Sequence, residues 1–197
     1  MKNKPIVCYL FTKFDEDKSL IDFKKNYLSY KSGYDHDLII SYKLIDKLKI
    51  KDLNEKLQGI NCQEFVDPIT INDYDFGTYK RVAEKFMERD ILFINSHSYP
   101  ICNDWLKKLM KYKDEKTLIG TTASNESLST SIKLKKKYQL LSYLFKKYKS
   151  KKNFLDFPNP HIRTSSFLIR GKHLFDYIKN IKINNKEDTW KIESGFN

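Results

Sequence analysis

Cysteine, glycine and proline are all scarce. Three Cys in 197 residues, Cys8, Cys62 and Cys102, are too few and too scattered for a disulfide framework and show no metal-ligand spacing, which points to a reducing cytoplasm. Six Gly and five Pro exclude a collagenous or linker-like chain. No apolar run approaches the roughly 18 residues that a membrane-spanning helix needs, so any membrane contact is expected to be peripheral. The apolar stretch nearest the N-terminus, Pro5 to Phe11, has no small-residue cleavage pattern behind it and reads as a strand rather than a signal peptide. What the chain does have is 40% hydrophobic and 14% aromatic residues, enough for one globular domain over 1–197 and too much for disorder. Acid is missing from one place in particular. Residues 131–152 hold nine Lys and no Asp or Glu, so most of the formal charge of +12 is a local feature.

Hydrophobic periodicity alternates between two kinds. PIVCYLF (5–11), DLIISYKL (37–44), NCQEFV (61–66), DILFIN (90–95), 117–121 and 165–169 read as strands. Between and after them, 19–30, 50–57, 79–87, 103–112 and 171–181 carry apolar residues at helical spacing, and 68–75 reads as a loop. Alternation of this kind predicts an α/β fold, a three-layer sandwich with a mostly parallel central sheet and helices on both faces. No internal repeat or domain boundary interrupts it.

In such sheets ligands lie beyond the carboxyl ends of the strands. The residues there are Thr12 and Lys13, then Asn95, Ser96 and His97, then Gly120 to Thr122. Asp75, between a loop and a helix, suits an N-cap or a ligand contact, and the Gly77-Thr78 that follows suits a helix N-terminus whose amides face a ligand.

The window DILFINSHSYPICNDWLKKL (90–109) resembles the centre of GT-A-type glycosyltransferases, especially family 2, in which an apolar strand ends in a short acid-containing motif followed by a Pro and a Trp-Leu helix. Tyr74-Asp75-Phe76-Gly77-Thr78-Tyr79 is similar to the Tyr-Asp-Phe-Gly-Ser-Tyr signature of the rhamnan-synthesis-type branch. HIRTSSFLIR (161–170) resembles that group's acceptor-side strand, and Glu187-Asp188 resembles the Glu-Asp pair that contains the catalytic base of family 2 enzymes. The resemblance implies transfer of a sugar from a nucleotide-sugar donor to a saccharide or lipid-linked acceptor of the cell envelope, as in polysaccharide biosynthesis. It also implies an inverting course, with Asp188 as base and Glu187 or Glu193 as substitutes. Thr12, Asp75, Lys80, Asn95 and Ser96 would hold the nucleotide. The chemistry needs a counter-charge for the departing diphosphate and a carboxylate for the acceptor's proton. The family's terminal metal-binding Asp is replaced here by His97, which suits Mn²⁺ better than Mg²⁺. Either a divalent metal sits on His97, or Lys80, Arg81 or Arg163 carries that role. His97 reads equally well as a structural loop histidine, and the replacement makes a catalytically silent binding protein a competing reading.

The basic stretch LKKKYQLLSYLFKKYKSKK (134–152) reads as a cationic amphipathic helix. It suits an anionic membrane surface, which would place the chain peripherally at the inner face, and it also suits a solvated face over a core. Nucleic acid ranks below the membrane, because no recognition motif is present and Arg is absent from the stretch. The chain stops soon after the Glu-Asp pair, so it resembles a fragment or an unusually short member of the family, and residues 189–197 are expected to pack poorly.

Overall fold

The computed structural model describes residues 4–133 and 137–194. Strand β1 (Ile6–Thr12) is apolar along its length because both of its faces are covered. Alternate side chains therefore enter different cores. Ile6, Cys8 and Leu10 pack with Phe76, Tyr79, Val82 and Ala83 of α3 (Tyr74–Lys85), Leu174 and Ile178 of α7 (Gly171–Ile178), and Ile192 of α8 (Lys186–Ser194). Val7, Tyr9 and Phe11 pack with Leu20 and Phe23 of α1 (Asp17–Ser29), Ile50 and Leu53 of α2 (Lys47–Lys56), and Trp105 and Leu106 of α4 (Trp105–Met110). The three layers that the alternation predicts are present.

The six-stranded sheet runs in the order β3 (Gln63–Val66), β2 (Asp37–Lys43), β1, β4 (Asp90–Ile94), β8 (Ser166–Arg170), β5 (Ile119–Gly120). The first four strands are parallel. β8 pairs antiparallel with both β4 and β5, and Ser166 lies opposite Ile94. The start of β8 consequently joins the carboxyl edge of the parallel strands. A two-stranded antiparallel ribbon pairs β6 (Ala123–Ser124) with β7 (His161–Ile162), and α5 (Leu128–Ser131), a 3-10 turn (Lys137–Gln139) and α6 (Leu140–Asn153) lie between the two in sequence.

Several boundaries differ from the sequence reading. α3 begins at Tyr74 instead of Tyr79, so Asp75 lies inside its first turn and Asp73 occupies the cap position. Gly77 concealed that turn, because glycine reads as an interruption of helical periodicity. The strand expected at 117–121 shrinks to two residues. The Asp114 carboxylate accepts from the Lys116 amide at 2.9 Å, which turns the chain just before it. Residues 189–194 do not pack poorly: Thr189 and Ile192 are buried, the Trp190 ring meets Phe154 edge-on at 6.0 Å, and Tyr177 donates to the Ile192 carbonyl at 3.0 Å. The expectation for 195–197 lies outside the described residues.

At the carboxyl ends of β2 and β3 the chain buries four charges together. Lys43, 1% exposed, pairs with Asp73 and lies 3.5 Å from Asp67, while Arg81 donates to Asp67 at 2.5 Å and to Asp73 at 2.6 Å. Thr78 donates to Asp67. A Cβ on Gly77 would overlap the Asp73 carboxylate, so glycine is required for that carboxylate to lie against the first turn of α3. Burial works to raise both carboxyls. Hydrogen bonds from Arg81, joined by Thr78 on Asp67 and by Lys43 on Asp73, outweigh it and hold both below the ordinary carboxylate range.

Removing one member strands the others without water. Lys43→Met is expected to cost about 3–5 kcal/mol in urea unfolding. Gly77→Ala should destabilise too, by evicting Asp73. Because both carboxyls titrate below their unfolded values, the cluster's contribution is present above the ordinary Asp range and is lost as pH falls through the lowered values. A loss well under about 1 kcal/mol for Lys43→Met would mean that Arg81 alone satisfies both acids.

Candidate functional site

The carboxyl edge gathers loops from β1, β4 and β8 with the N-terminus of α3 and the last turns of α8. At its centre Asp15 ties two strands together. Its Oδ2 accepts from the Thr12 amide at 2.7 Å and the Thr12 hydroxyl at 2.8 Å, and its Oδ1 accepts from the Ser96 hydroxyl at 2.6 Å. Tyr9 donates to the Ser96 carbonyl at 3.1 Å, fixing the β4 loop from below. Asn95 accepts from the His97 amide at 3.2 Å through its side chain, which makes the turn that carries His97 outward to an exposed position. Of the residues expected around a nucleotide, Thr12, Asn95 and Ser96 thus form one edge.

Asp75 faces a separate, narrow cavity of about 150 Å³ beneath that edge. Tyr74, Phe76, Tyr79, Thr164, Lys186, Thr189 and Glu193 line it with Asp75. Burial raises the Asp75 carboxyl above the usual range, and the nearby Asp15 adds to the shift. Burial also raises Glu193, outweighing the opposing Thr164 hydrogen bond (3.1 Å) and the Lys186 charge, and Asp75 adds a smaller upward contribution. Two partly desolvated carboxyls thus line one cavity, with one ammonium beside them.

The other expected residues lie elsewhere. Asp188 closes the turn before α8, accepting through Oδ2 from the amides of Asn184 at 3.0 Å and Asn185 at 3.3 Å, and it does not line the cavity. Glu187 is ion-paired to Lys149 of α6. Lys80 donates to the Lys179 carbonyl at 2.5 Å, holding α3 to the end of α7. Arg81 is committed to the buried cluster, and Arg163 pairs with Glu126 at 3.1 Å. Sequence reasoning missed Asp15, Lys43, Asp67 and Asp73. The signal for Asp15 was available as an acid three residues past the end of a strand, a turn-closing spacing. The other three are brought together only by the crossover from β3 to α3.

Among the described residues, no three His, Cys, Asp or Glu side chains gather as they would around a metal ion. His97 is exposed on its own turn, and the carboxylates of Asp15 are spent on Thr12 and Ser96. The donor set does not fit a divalent ion held by the protein.

A second opening, about 520 Å³ and mainly apolar, lies between the β4 loop and α4, lined by His97, Tyr99, Ile101, Trp105, Thr121 and Ser165 among others. The edge of the sheet thus carries one small acidic cavity and one larger apolar one.

This arrangement of sheet, crossovers and antiparallel β8 is the GT-A-like fold of nucleotide-diphospho-sugar transferases. Among solved structures, the chain is similar to the galactosyltransferase LgtC in complex with donor and acceptor sugar analogs, at 13% identity and TM-score 0.54, covering 97% of this chain and 70% of that one. It is also similar to the bifunctional glycosyltransferase WbbM, at 10% identity and TM-score 0.54, covering all of this chain and 38% of that one. A 4-diphosphocytidyl-2C-methyl-D-erythritol synthase from Anaerococcus prevotii matches at 13% identity and TM-score 0.51, over 96% of this chain and 82% of that one. No protein-family model matches the chain, and no curated protein matches it in sequence. At these identities the likeness establishes the fold.

The raised carboxyls have a consequence for stability. Each holds its proton to higher pH in the folded chain than in the unfolded one, so stability is greatest below the unfolded value and falls as pH rises through the raised one. Asp75→Asn should therefore melt higher than the parent at about pH 7 and lose that advantage below about pH 4, where unfolded carboxyls are protonated too. A difference in Tm that does not change with pH would show an ordinary, solvated Asp75.

Proposed function

We propose that the chain is a glycosyltransferase that moves a sugar from a nucleotide-diphosphate donor to a saccharide or lipid-linked acceptor. The observation that carries the reading is the Asp75–Glu193 pair, raised by burial at the carboxyl edge of a GT-A-like sheet. LgtC, on the same fold, is bound to donor and acceptor sugar analogs, which supports a donor and an acceptor as the two ligand classes. The Tyr74–Tyr79 motif supports the rhamnan-synthesis branch. Its Gly77, Thr78 and Tyr79 build the fold, leaving Asp75 for a ligand.

In the inverting course proposed here, a carboxylate of the Asp75–Glu193 pair takes the acceptor hydroxyl's proton. The acceptor oxygen forms its bond to the anomeric carbon, and the bond from that carbon to the diphosphate oxygen breaks, its electron pair leaving with the nucleoside diphosphate. A carboxyl with a raised pKa is the stronger base for this step. Thr12, Asn95 and Ser96 line the donor side, and Lys186 supplies positive charge at the cavity. Glu193 takes the role that the family resemblance gives Asp188, because Asp188 is engaged by the backbone of its own turn. No step is routed through a metal.

Calorimetric titration with uridine, guanosine and thymidine diphosphates, with and without Mn²⁺, tests the donor site. Saturable binding of one nucleotide is expected, with little dependence on Mn²⁺ and none of it lost in His97→Ala. With that nucleotide's sugar as donor, Glu193→Gln should lower transfer about 10²–10⁴-fold while leaving nucleotide affinity within about threefold. Asp188→Asn should lower transfer far less. The reverse order would return the base to Asp188. Binding of a short single strand with steep salt dependence and of no nucleotide would replace the transferase reading with a nucleic-acid one.

A further inference from the structure

Helix α6 turns its apolar side away from its own domain. The side chain of Ser150 is buried, Lys149 beside it pairs with Glu187, and the residues just past the helix hold its end to the rest of the chain, Phe154 edge-on to Trp190 and the Leu155 carbonyl accepting from Ser127 and Ser129. On the opposite side, Leu140, Leu141, Leu144, Phe145 and Tyr148 follow one another around a single arc and are 48%, 83%, 51%, 59% and 71% exposed, with the Lys149 ammonium over the Phe145 ring at the edge of the arc. Lys151 and Lys152 extend the same arc, and Lys147 borders it. The sequence left open whether this stretch covers a core. In the structure it does not.

We infer that α6 is a docking helix for an anionic lipid surface. A bilayer interface accepts both halves of the arc at once, the Leu and Phe side chains entering the acyl boundary while the lysines extend to headgroup phosphates. The helix is 14 residues, about 21 Å, which suits lying in the interface and is too short to cross it. Charge argues against the other occupants. A second copy packed through this face would bring two sets of lysines together without acids to meet them, since 131–152 contains none. Nucleic acid would use the lysines and Tyr148 but leave three leucines and a phenylalanine in water. The inference stands apart from the transferase reading, although α8, which α6 touches through Glu187 and Trp190, also lines the Asp75 cavity.

Co-sedimentation of the full chain with phosphatidylcholine vesicles, with and without about 30% phosphatidylglycerol, reads the proposal directly. Binding is expected to the anionic vesicles, falling at high salt. The double variant Leu141→Ser/Phe145→Ser keeps every charge and changes only exposed side chains, so it should fold as the parent does by circular dichroism. Its partition onto anionic vesicles should drop at least about tenfold. Lys151→Gln/Lys152→Gln should weaken anionic binding and leave neutral vesicles unaffected. No binding of the folded parent to anionic vesicles would overturn the inference. So would equal binding by the Leu141→Ser/Phe145→Ser variant, a dimer that this variant dissolves, or tighter binding to a single-stranded oligonucleotide than to the vesicles.

Discussion

Lys43, Arg81, Asp67 and Asp73 meet, largely buried, where the carboxyl ends of β2 and β3 lie against the start of α3, and the site depends on the outcome. Desolvating an ion costs several kcal/mol even after relaxation, so such a group persists only if every charge finds its partner. Here two cations and two carboxylates balance, and Thr78 donates to the same Asp67 oxygen that Arg81 reaches. This balance is met with Gly77 of α3 lying against Asp73. That placement sets the helix's first turn, puts Phe76 and Tyr79 into the core and turns Asp75 towards the cavity. The cluster is neutral as a whole, so it fixes geometry without imposing a field of one sign on the site beside it.

Asp15 performs a comparable task one strand away with a single carboxylate. By accepting from Thr12 and Ser96 it locks the ends of β1 and β4 to each other, and the antiparallel β8 brings Thr164 and Ser165 to the same edge. The edge is therefore rigid where it meets the sheet. The acids that line the small cavity, Asp75 and Glu193, come from helices on one face and are shifted in the same direction by the same main cause, burial.

Much of this was legible from periodicity. β1, β2 and β4 are continuous apolar runs because they are buried on both faces, and helices α1, α3 and α4 show their inner residues at helical spacing. The resemblance of 74–79 and 90–109 to glycosyltransferase segments agrees with the fold that the structural neighbours share. The helix start at Tyr74 was obscured by the glycine that the ion cluster requires. Glu187 and Asp188 are adjacent in sequence, but one pairs with Lys149 and the other closes a turn.

Composition and hydrophobic period by themselves determined a layered α/β chain with a local excess of lysine, since burial on two faces and helical spacing leave their mark on consecutive residues. Tertiary structure alone decided which polar residues meet. Asp67 and Lys43, or Asp75 and Glu193, are neighbours only because crossovers return distant segments to one edge, and a carboxyl's proton affinity depends on how much water and charge those segments leave around it. The direction of α6's apolar arc was decided in the same way. A helix with leucines on one side reads alike from its sequence whether that side meets a core or faces outward, and here the buried face is the one carrying Ser150.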